Sequence, residues 1–180
     1  LSDRAWGEQL TTPRDHARLR ASEGPAEART ELDLLVADLR AARKRRRLTQ
    51  VALGEAMDVS ALAIGNWESG KDTPSTGNFV RLAESLGFVV DVADRMQRPD
   101  AVRPVLLRGE SLEAYRMRCM MLVLADARRR RDYTQEMVGD RLGVSAWTIH
   151  MWETAHRNPR LLRLIEWCAV LDCRLTLIPV

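Results

Sequence analysis

The sequence predicts a mainly α protein made of two tandem copies of one small four-helix unit, each followed by a short β-strand. Three observations lead there. A shift of 85 residues, without a gap, carries Thr49-Gln50 onto Thr134-Gln135 and Val59-Ser60-Ala61 onto Val144-Ser145-Ala146. The same shift superimposes Arg43 on Arg128, Gly54 on Gly139, Ile64 on Ile149, Trp67-Glu68 on Trp152-Glu153, Pro74 on Pro159 and Leu86 on Leu171. Within each copy apolar residues recur at helical spacing, and after each copy the pattern changes to a run of β-formers.

Residues 1–24 are read as an N-terminal segment and residues 25–94 as the first copy, because Pro25 suits a first helical turn, where its missing N–H is not needed. Leu32, Leu35, Val36 and Leu39 share one face of a first helix that runs to about Arg47 and gathers arginines at its C-terminal end, where the helix dipole favours cations. Thr49 caps a second helix, Gln50 to Met57, with Leu53, Ala56 and Met57 inward and Gly54 allowing close approach. Asp58-Val59-Ser60 is a turn. Ser60 caps a third helix from Ala61, which Gly70 ends. Past Pro74, a fourth helix turns Phe79, Leu82, Ala83 and Leu86 inward before Gly87 stops it. Phe88 to Val92 then reads as a strand.

A polar connector, 95–110, holds Pro99, Pro104 and Gly109. The second copy, 111–180, opens near Ser111 with a long helix whose Leu112, Tyr115, Cys119, Leu122 and Val123 keep the helical period, and it closes on a strand from Cys173 to Ile178. A lone strand leaves hydrogen-bonding groups unpaired. Three pairings are open: the two strands with each other, with Val105-Leu106-Leu107, or across a homodimer interface.

Composition limits the function. At 180 residues the chain has room for two small helical units. Apolar residues make up 46%, but five of the few aromatics are tryptophans, so Leu, Val and Ala must fill the core. The formal charge is +3, with the cations gathered into Arg43-Lys44-Arg45-Arg46-Arg47 and Arg128-Arg129-Arg130-Arg131. Such runs are either solvated helix faces or a field for nucleic acid. Cys119, Cys168 and Cys173 lack a paired spacing and read as reduced core thiols. His16, His150 and His156 have no partner at metal-ligand spacing, and no stretch reaches the roughly 20 apolar residues a membrane span requires. No phosphate-binding glycine loop, positioned nucleophile or metal cluster points to an enzyme, and no cofactor is expected. The expected setting is the cytoplasm.

At Leu48-Thr49-Gln50, Gly54, Val59-Ser60, Ile64, Trp67-Glu68, Gly70-Lys71 and Pro74 the chain resembles the Cro and phage-repressor helix-turn-helix family, often called XRE-like. The second copy matches at Tyr133-Thr134-Gln135, Gly139, Val144-Ser145, Ile149, Trp152-Glu153 and Pro159, and departs where Gly70-Lys71 becomes Ala155-His156. The resemblance implies two lambda-repressor-like helix-turn-helix domains that bind double-stranded DNA. The third helix of each copy would enter the major groove, which accepts one α-helix. Ile64, Trp67, Ile149 and Trp152 would then point into the domain. Ala61, Leu62, Gly65 and Asn66 in the first copy, and Ala146, Trp147, His150 and Met151 in the second, would face bases, although an exposed helix face alone explains the same pattern. Asn66 can pair with adenine, and Leu62, Ala61 and Ala146 can meet thymine methyl groups. Trp147 is conspicuous, since an indole at a solvent-facing position calls for a partner.

Gln50 and Gln135 would clamp phosphates, and Ser60, Ser145, Lys71 and Arg157 would add positioning contacts, though helix capping by itself accounts for the serines. The resemblance sets Arg43 beside Glu68 and Arg128 beside Glu153 as structural pairs, leaving the other arginines to attract DNA. Arg14, Arg18 and Arg20 could form a minor-groove arm. Because the outward residues of the two copies differ, one chain is expected to read a non-palindromic operator as a monomer, in the manner of a temperate-phage immunity repressor. An antitoxin-like autoregulator, or a regulator that uses one domain for protein–protein contact, are the alternatives.

Overall fold

The computed structural model describes residues 13–94 and 104–180, with side chains from Gly24 onward. The first copy comprises α1 (Pro13–Arg45), α2 (Gln50–Met57), α3 (Ala61–Glu68), α4 (Thr76–Ser85) and β1 (Phe88–Asp94). The second repeats it as α5 (Leu112–Arg130), α6 (Gln135–Leu142), α7 (Ala146–Glu153), α8 (Leu161–Val170) and β2 (Cys173–Pro179). Hydroxyl caps set most of the starts: Thr49, Ser60 and Ser75 in the first copy, and Ser111, Thr134 and Ser145 in the second, each accept a backbone N–H three residues on. Arg160, ahead of α8, makes no such bond.

Three local expectations need correction. α1 does not begin at Pro25: it starts by Pro13 and carries Pro25 inside. An interior proline costs about 3 kcal/mol, but Pro25 is exposed and precedes the buried stripe of Ala28, Leu32, Leu35, Val36, Leu39 and Ala42 that holds the helix down. Ala56 is exposed, since α2 needs only Leu53, Gly54 and Met57 to meet its neighbours. In α5 the buried stripe is Met117, Met120, Met121, Leu124 and Ala127, with Cys119 and Ala125 beside it, while Leu112 and Leu122 are exposed. Methionine is a weak periodicity signal, yet its unbranched thioether fills the irregular space between elements well.

The backbone repeats more faithfully than the side chains. Left-handed residues fall at matching positions: Arg47 with Asp132, Asp58 with Gly143, Gly70 with Ala155, and Gly87 with Asp172. Only one of each of the last three pairs is glycine, so the turn is dictated by packing on both sides and glycine merely relieves it.

β1 and β2 pair with each other, antiparallel, from Phe88 opposite Pro179 to Asp94 opposite Cys173. That settles the open pairing question within the chain. Val105-Leu106-Leu107 lies outside any strand and is exposed. The buried apolar residues of both copies form one continuous cluster, with Trp167, Phe79, Leu39, Met120 and Met121 among its largest fully buried members. α1 packs on α8, and α5 on α4 and β1. Polar links also cross between copies: the Thr76 hydroxyl donates to the Pro159 carbonyl at 2.6 Å, the Thr176 hydroxyl donates to the Asp91 carbonyl at 3.1 Å, Arg116 pairs with Glu84 at 3.6 Å, and the wholly buried carboxylate of Asp94 accepts from Arg131 at 2.9 Å and from Arg130. Cys119, Cys168 and Cys173 are buried and unbridged, as expected, and burial pushes the Cys173 thiol up to about 12.

An L-residue in the left-handed region costs about 1–2 kcal/mol. Replacing Ala155 by glycine should therefore raise stability by up to about 1 kcal/mol, and Gly143→Ala should lower it by about 1 kcal/mol, measured by urea denaturation. The opposite signs follow from one backbone geometry carrying different residues.

Candidate nucleic-acid interface

Each turn between the second and third helices is closed by a tight approach. A Cβ at Gly54 would lie 2.7 Å from the Val59 carbonyl oxygen, and one at Gly139 would lie 2.6 Å from that of Val144. Only glycine permits the two helices to meet so closely. The third helices then expose one face and bury the other. Ile64 and Ile149 are wholly buried, and Trp67 and Trp152 nearly so, as the sequence required. On the outer face Leu62 is 73% exposed and Trp147 66%. Ala61, Gly65 and Asn66 beside Leu62, and Ala146, His150 and Met151 beside Trp147, are half-buried. The Trp147 indole stacks on the His150 ring with centroids 5.3 Å apart and planes inclined by 28°.

A repeated ladder fixes these helices against their neighbours. Arg43 Nε and one terminal nitrogen donate to the two Glu68 oxygens at 2.6 and 2.8 Å, and its other terminal nitrogen donates to the Leu48 carbonyl at 2.6 Å. Gln50 Nε2 donates to the same carboxylate at 2.8 Å. In the second copy Arg128 donates to Glu153 at 2.6 and 2.9 Å and to the Tyr133 carbonyl at 2.8 Å, and Gln135 Nε2 to Glu153 at 2.8 Å. Three helices thus meet on one carboxylate in each copy. Burial opposes the charge on Glu68, but hydrogen bonds from Arg43 and Gln50 and the nearby Arg43 and Arg40 charges outweigh it and hold the carboxyl below its ordinary value. The same bonds hold the Arg43 and Arg128 guanidinium groups above theirs.

Gln50 and Gln135 are thereby tied into the scaffold, a role that the sequence does not signal. Each primary amide has two N–H donors, and the one not used on glutamate is the group that can meet a phosphate. Ser60 and Ser145 cap their helices at 3.1 and 3.2 Å. Lys71 and Arg157 are exposed in the turns after α3 and α7, where the Lys71 N–H donates to the Asn66 carbonyl and the Arg157 N–H to that of Met151. Arg157 aligns with Asp72, not Lys71, so the second copy keeps a cation in this turn but moves it one residue along. Its backbone there is unchanged because Ala155 accepts the conformation of Gly70.

Two features have no local signal in the sequence. Arg29 reaches from α1 to the Gly70 carbonyl at 2.6 Å and pairs with Asp33 at 3.1 Å, bracing the turn that carries Lys71. Its counterpart is Ala114, so the brace belongs to one copy only. Arg130 and Arg131, expected to supply field for DNA, are instead engaged by Asp94. In the first basic run Lys44, Arg45, Arg46 and Arg47 are all exposed. The side chains of Arg14, Arg18 and Arg20 lie outside those described. Among the described residues no helix is long and apolar enough to cross a membrane.

Two outward-facing third helices, each set on a capped second helix beside exposed cations, define a DNA-binding transcription regulator. The family comparison agrees: the helix-turn-helix family model matches twice, over residues 39–89 and 124–178, and the chain belongs to that family, with two tandem XRE-like copies. No curated protein and no solved structure matches the chain.

Glu68→Ala strands the Arg43 charge in a nearly buried position and should cost about 3–5 kcal/mol by chemical denaturation. The pair's contribution is present above the unfolded carboxyl value of 4.5 and is lost as pH falls from there through the lowered folded value. A Glu68→Gln chain should accordingly show a weaker loss of stability between about pH 5 and pH 3 than the parent.

Proposed function

We propose that the protein is a transcriptional repressor that binds, as a monomer, one operator whose two halves differ in sequence, in the manner of an immunity repressor of a temperate phage acting in the cytoplasm, on the nucleoid, of its bacterial host. The observation that carries this reading is the pair of helices α3 and α7, which share a backbone and differ in their outward residues: Leu62, Gly65 and Asn66 against Trp147, His150 and Met151. Ala61 and Ala146 are common to both.

In this reading Asn66 pairs with an adenine edge, Leu62 and the two alanines pack on thymine methyl groups, and the Trp147–His150 stack presents a flat apolar surface to the groove. Gln50, Gln135, Ser60 and Ser145 meet the phosphates flanking each half-site from helix N-termini, and Lys71 and Arg157 add charge. No chemical step is needed: occupancy of a promoter, or obstruction of an elongating polymerase, represses transcription.

The exposed Trp147 also supports a second reading, an antitoxin-like autoregulator or a regulator whose second domain docks a protein, because an indole on a helix face suits a protein partner as well as a base. Binding of the full-length chain to operator DNA separates the two. On the DNA reading, Asn66→Ala and Trp147→Ala each weaken specific binding by about 1–3 kcal/mol. Lys71→Ala weakens all sequences alike and lowers the slope of log affinity against log salt by about 1. Gel-shift titration over several salt concentrations, with mass measurement of the complex, checks both. Loss on Asn66→Ala alone, with Trp147→Ala silent, would favour the protein-docking reading, and a two-chain complex would overturn monomer binding.

A further inference from the structure

We infer that the operator is an inverted repeat of two unlike half-sites, read by a single chain across an internal two-fold axis. This rests on the DNA-binding reading above and adds the orientation in which the two third helices meet the duplex.

The strand register carries the inference. Asp91 of β1 lies opposite Thr176 of β2, its own counterpart 85 residues on. Every other pair maps onto its reverse. Val90 faces Leu177 while Val92 faces Leu175, and Val90 corresponds to Leu175 as Val92 does to Leu177. Val89 faces Ile178 while Ala93 faces Arg174, with the same exchange. An antiparallel pair centred on equivalent residues has a local two-fold axis through that centre. Each strand joins its own copy through an equivalent left-handed residue, Gly87 or Asp172, so the axis extends from the strands to the domains.

Helix packing follows the same rule. α1 lies on α8 of the other copy, and α5 lies on α4 of the other copy, which are equivalent contacts made in both directions. Reciprocal contacts of this kind mark an isologous interface; copies related by translation would present different surfaces to each other. The symmetry is broken in detail, and on the strand side. Asp94 is gripped by Arg130 and Arg131, whereas its counterpart is Pro179. α1 leaves a groove of about 900 Å³ along β2, lined by Leu34, Leu35, Leu175 and Leu177, whereas α5 packs against β1. Neither departure touches α3 or α7.

The duplex backbone has two-fold axes of its own, and helices related by such an axis read half-sites of opposite orientation. Here their outward residues differ. The half-sites are therefore inverted in frame and different in sequence, a property that neither a symmetric dimer nor two domains in tandem translation would give.

The test is sequence selection from a random duplex library by the full-length chain and by four surface variants, Leu62→Ala, Trp147→Ala, Asn66→Ala and Met151→Ala. Each should relax the base preference at the position its side chain reads, by roughly tenfold. Leu62 and Trp147 are counterparts, as are Asn66 and Met151. With inverted half-sites, the positions relaxed by the first pair and by the second share one midpoint, one pair nested within the other. With direct half-sites the two midpoints are displaced, and that result overturns the inference while leaving the DNA-binding function standing. Relaxation confined to one half of the site, or two chains per site, overturns it as well. Failure of the parent chain to enrich any sequence would remove the regulatory reading itself.

Discussion

The antiparallel pairing of β1 with β2 is the constraint on which the rest of the molecule depends. A two-stranded ribbon is marginal in water unless a face of it is covered. Here each strand arrives with the fourth helix of its own copy, and Val90, Val92, Cys173 and Leu175 are buried together beneath them. Pairing the strands draws α1 onto α8 and α5 onto α4 and β1, so two small cores become one. Asp94 then secures the register. A wholly buried carboxylate is tolerable only with its charge answered, and Arg130 and Arg131 answer it from the end of α5. A slip of one residue would carry Asp94 away from both cations and turn the buried valines outward.

Within each copy a different interaction fixes the third helix. The arginine, glutamate and glutamine ladder joins the ends of the first and third helices to the start of the second, so that the outward face of the third helix and the N-terminus of the second move as one body. Preformed geometry of this kind lowers the ordering cost of binding. The first copy adds Arg29 to hold the following turn, and the second does without it. The copies are thus equal in the skeleton that sets helix positions and unequal in the parts that would touch a partner.

Much of this is legible in the sequence. The constant 85-residue shift, the serine and threonine caps, and the buried Ile and Trp pairs come from patterns that short-range physics imposes, and the structure places each where the repeat demands. The Arg43–Glu68 and Arg128–Glu153 pairs follow from family resemblance and are present in both copies. What escapes depends on distant contacts. Nothing local in Arg130-Arg131 tells that Asp94 will lie against it from 36 residues away, and a run of cations reads as solvated until its partner is in place. The start of α1 is misread because a proline is a strong local signal, and the packing of Ala28 through Ala42 overrides it. The buried stripe of α5 reads out of phase because three methionines carry it and the more conspicuous Leu112 and Leu122 face water.

On the proposed function, joining two readers in one chain would also change how DNA occupancy depends on protein concentration. A repressor that assembles from separate subunits must first reach the concentration at which its dimer forms, so its occupancy falls steeply on dilution. Here the second domain is already in place, its position set by a shared core and not by a flexible tether, and its effective concentration is fixed by the fold. On the proposed operator, occupancy would follow protein concentration to the first power. On that proposal the same fusion would free the two reading faces from having to be identical. In a homodimer any change at the position of Leu62 alters both half-sites at once, whereas in this chain Leu62 and Trp147 stand at equivalent points on the backbone and differ independently. An internal two-fold axis with unlike reading faces is therefore a physical route from a palindromic code to an asymmetric one that leaves the scaffold unchanged.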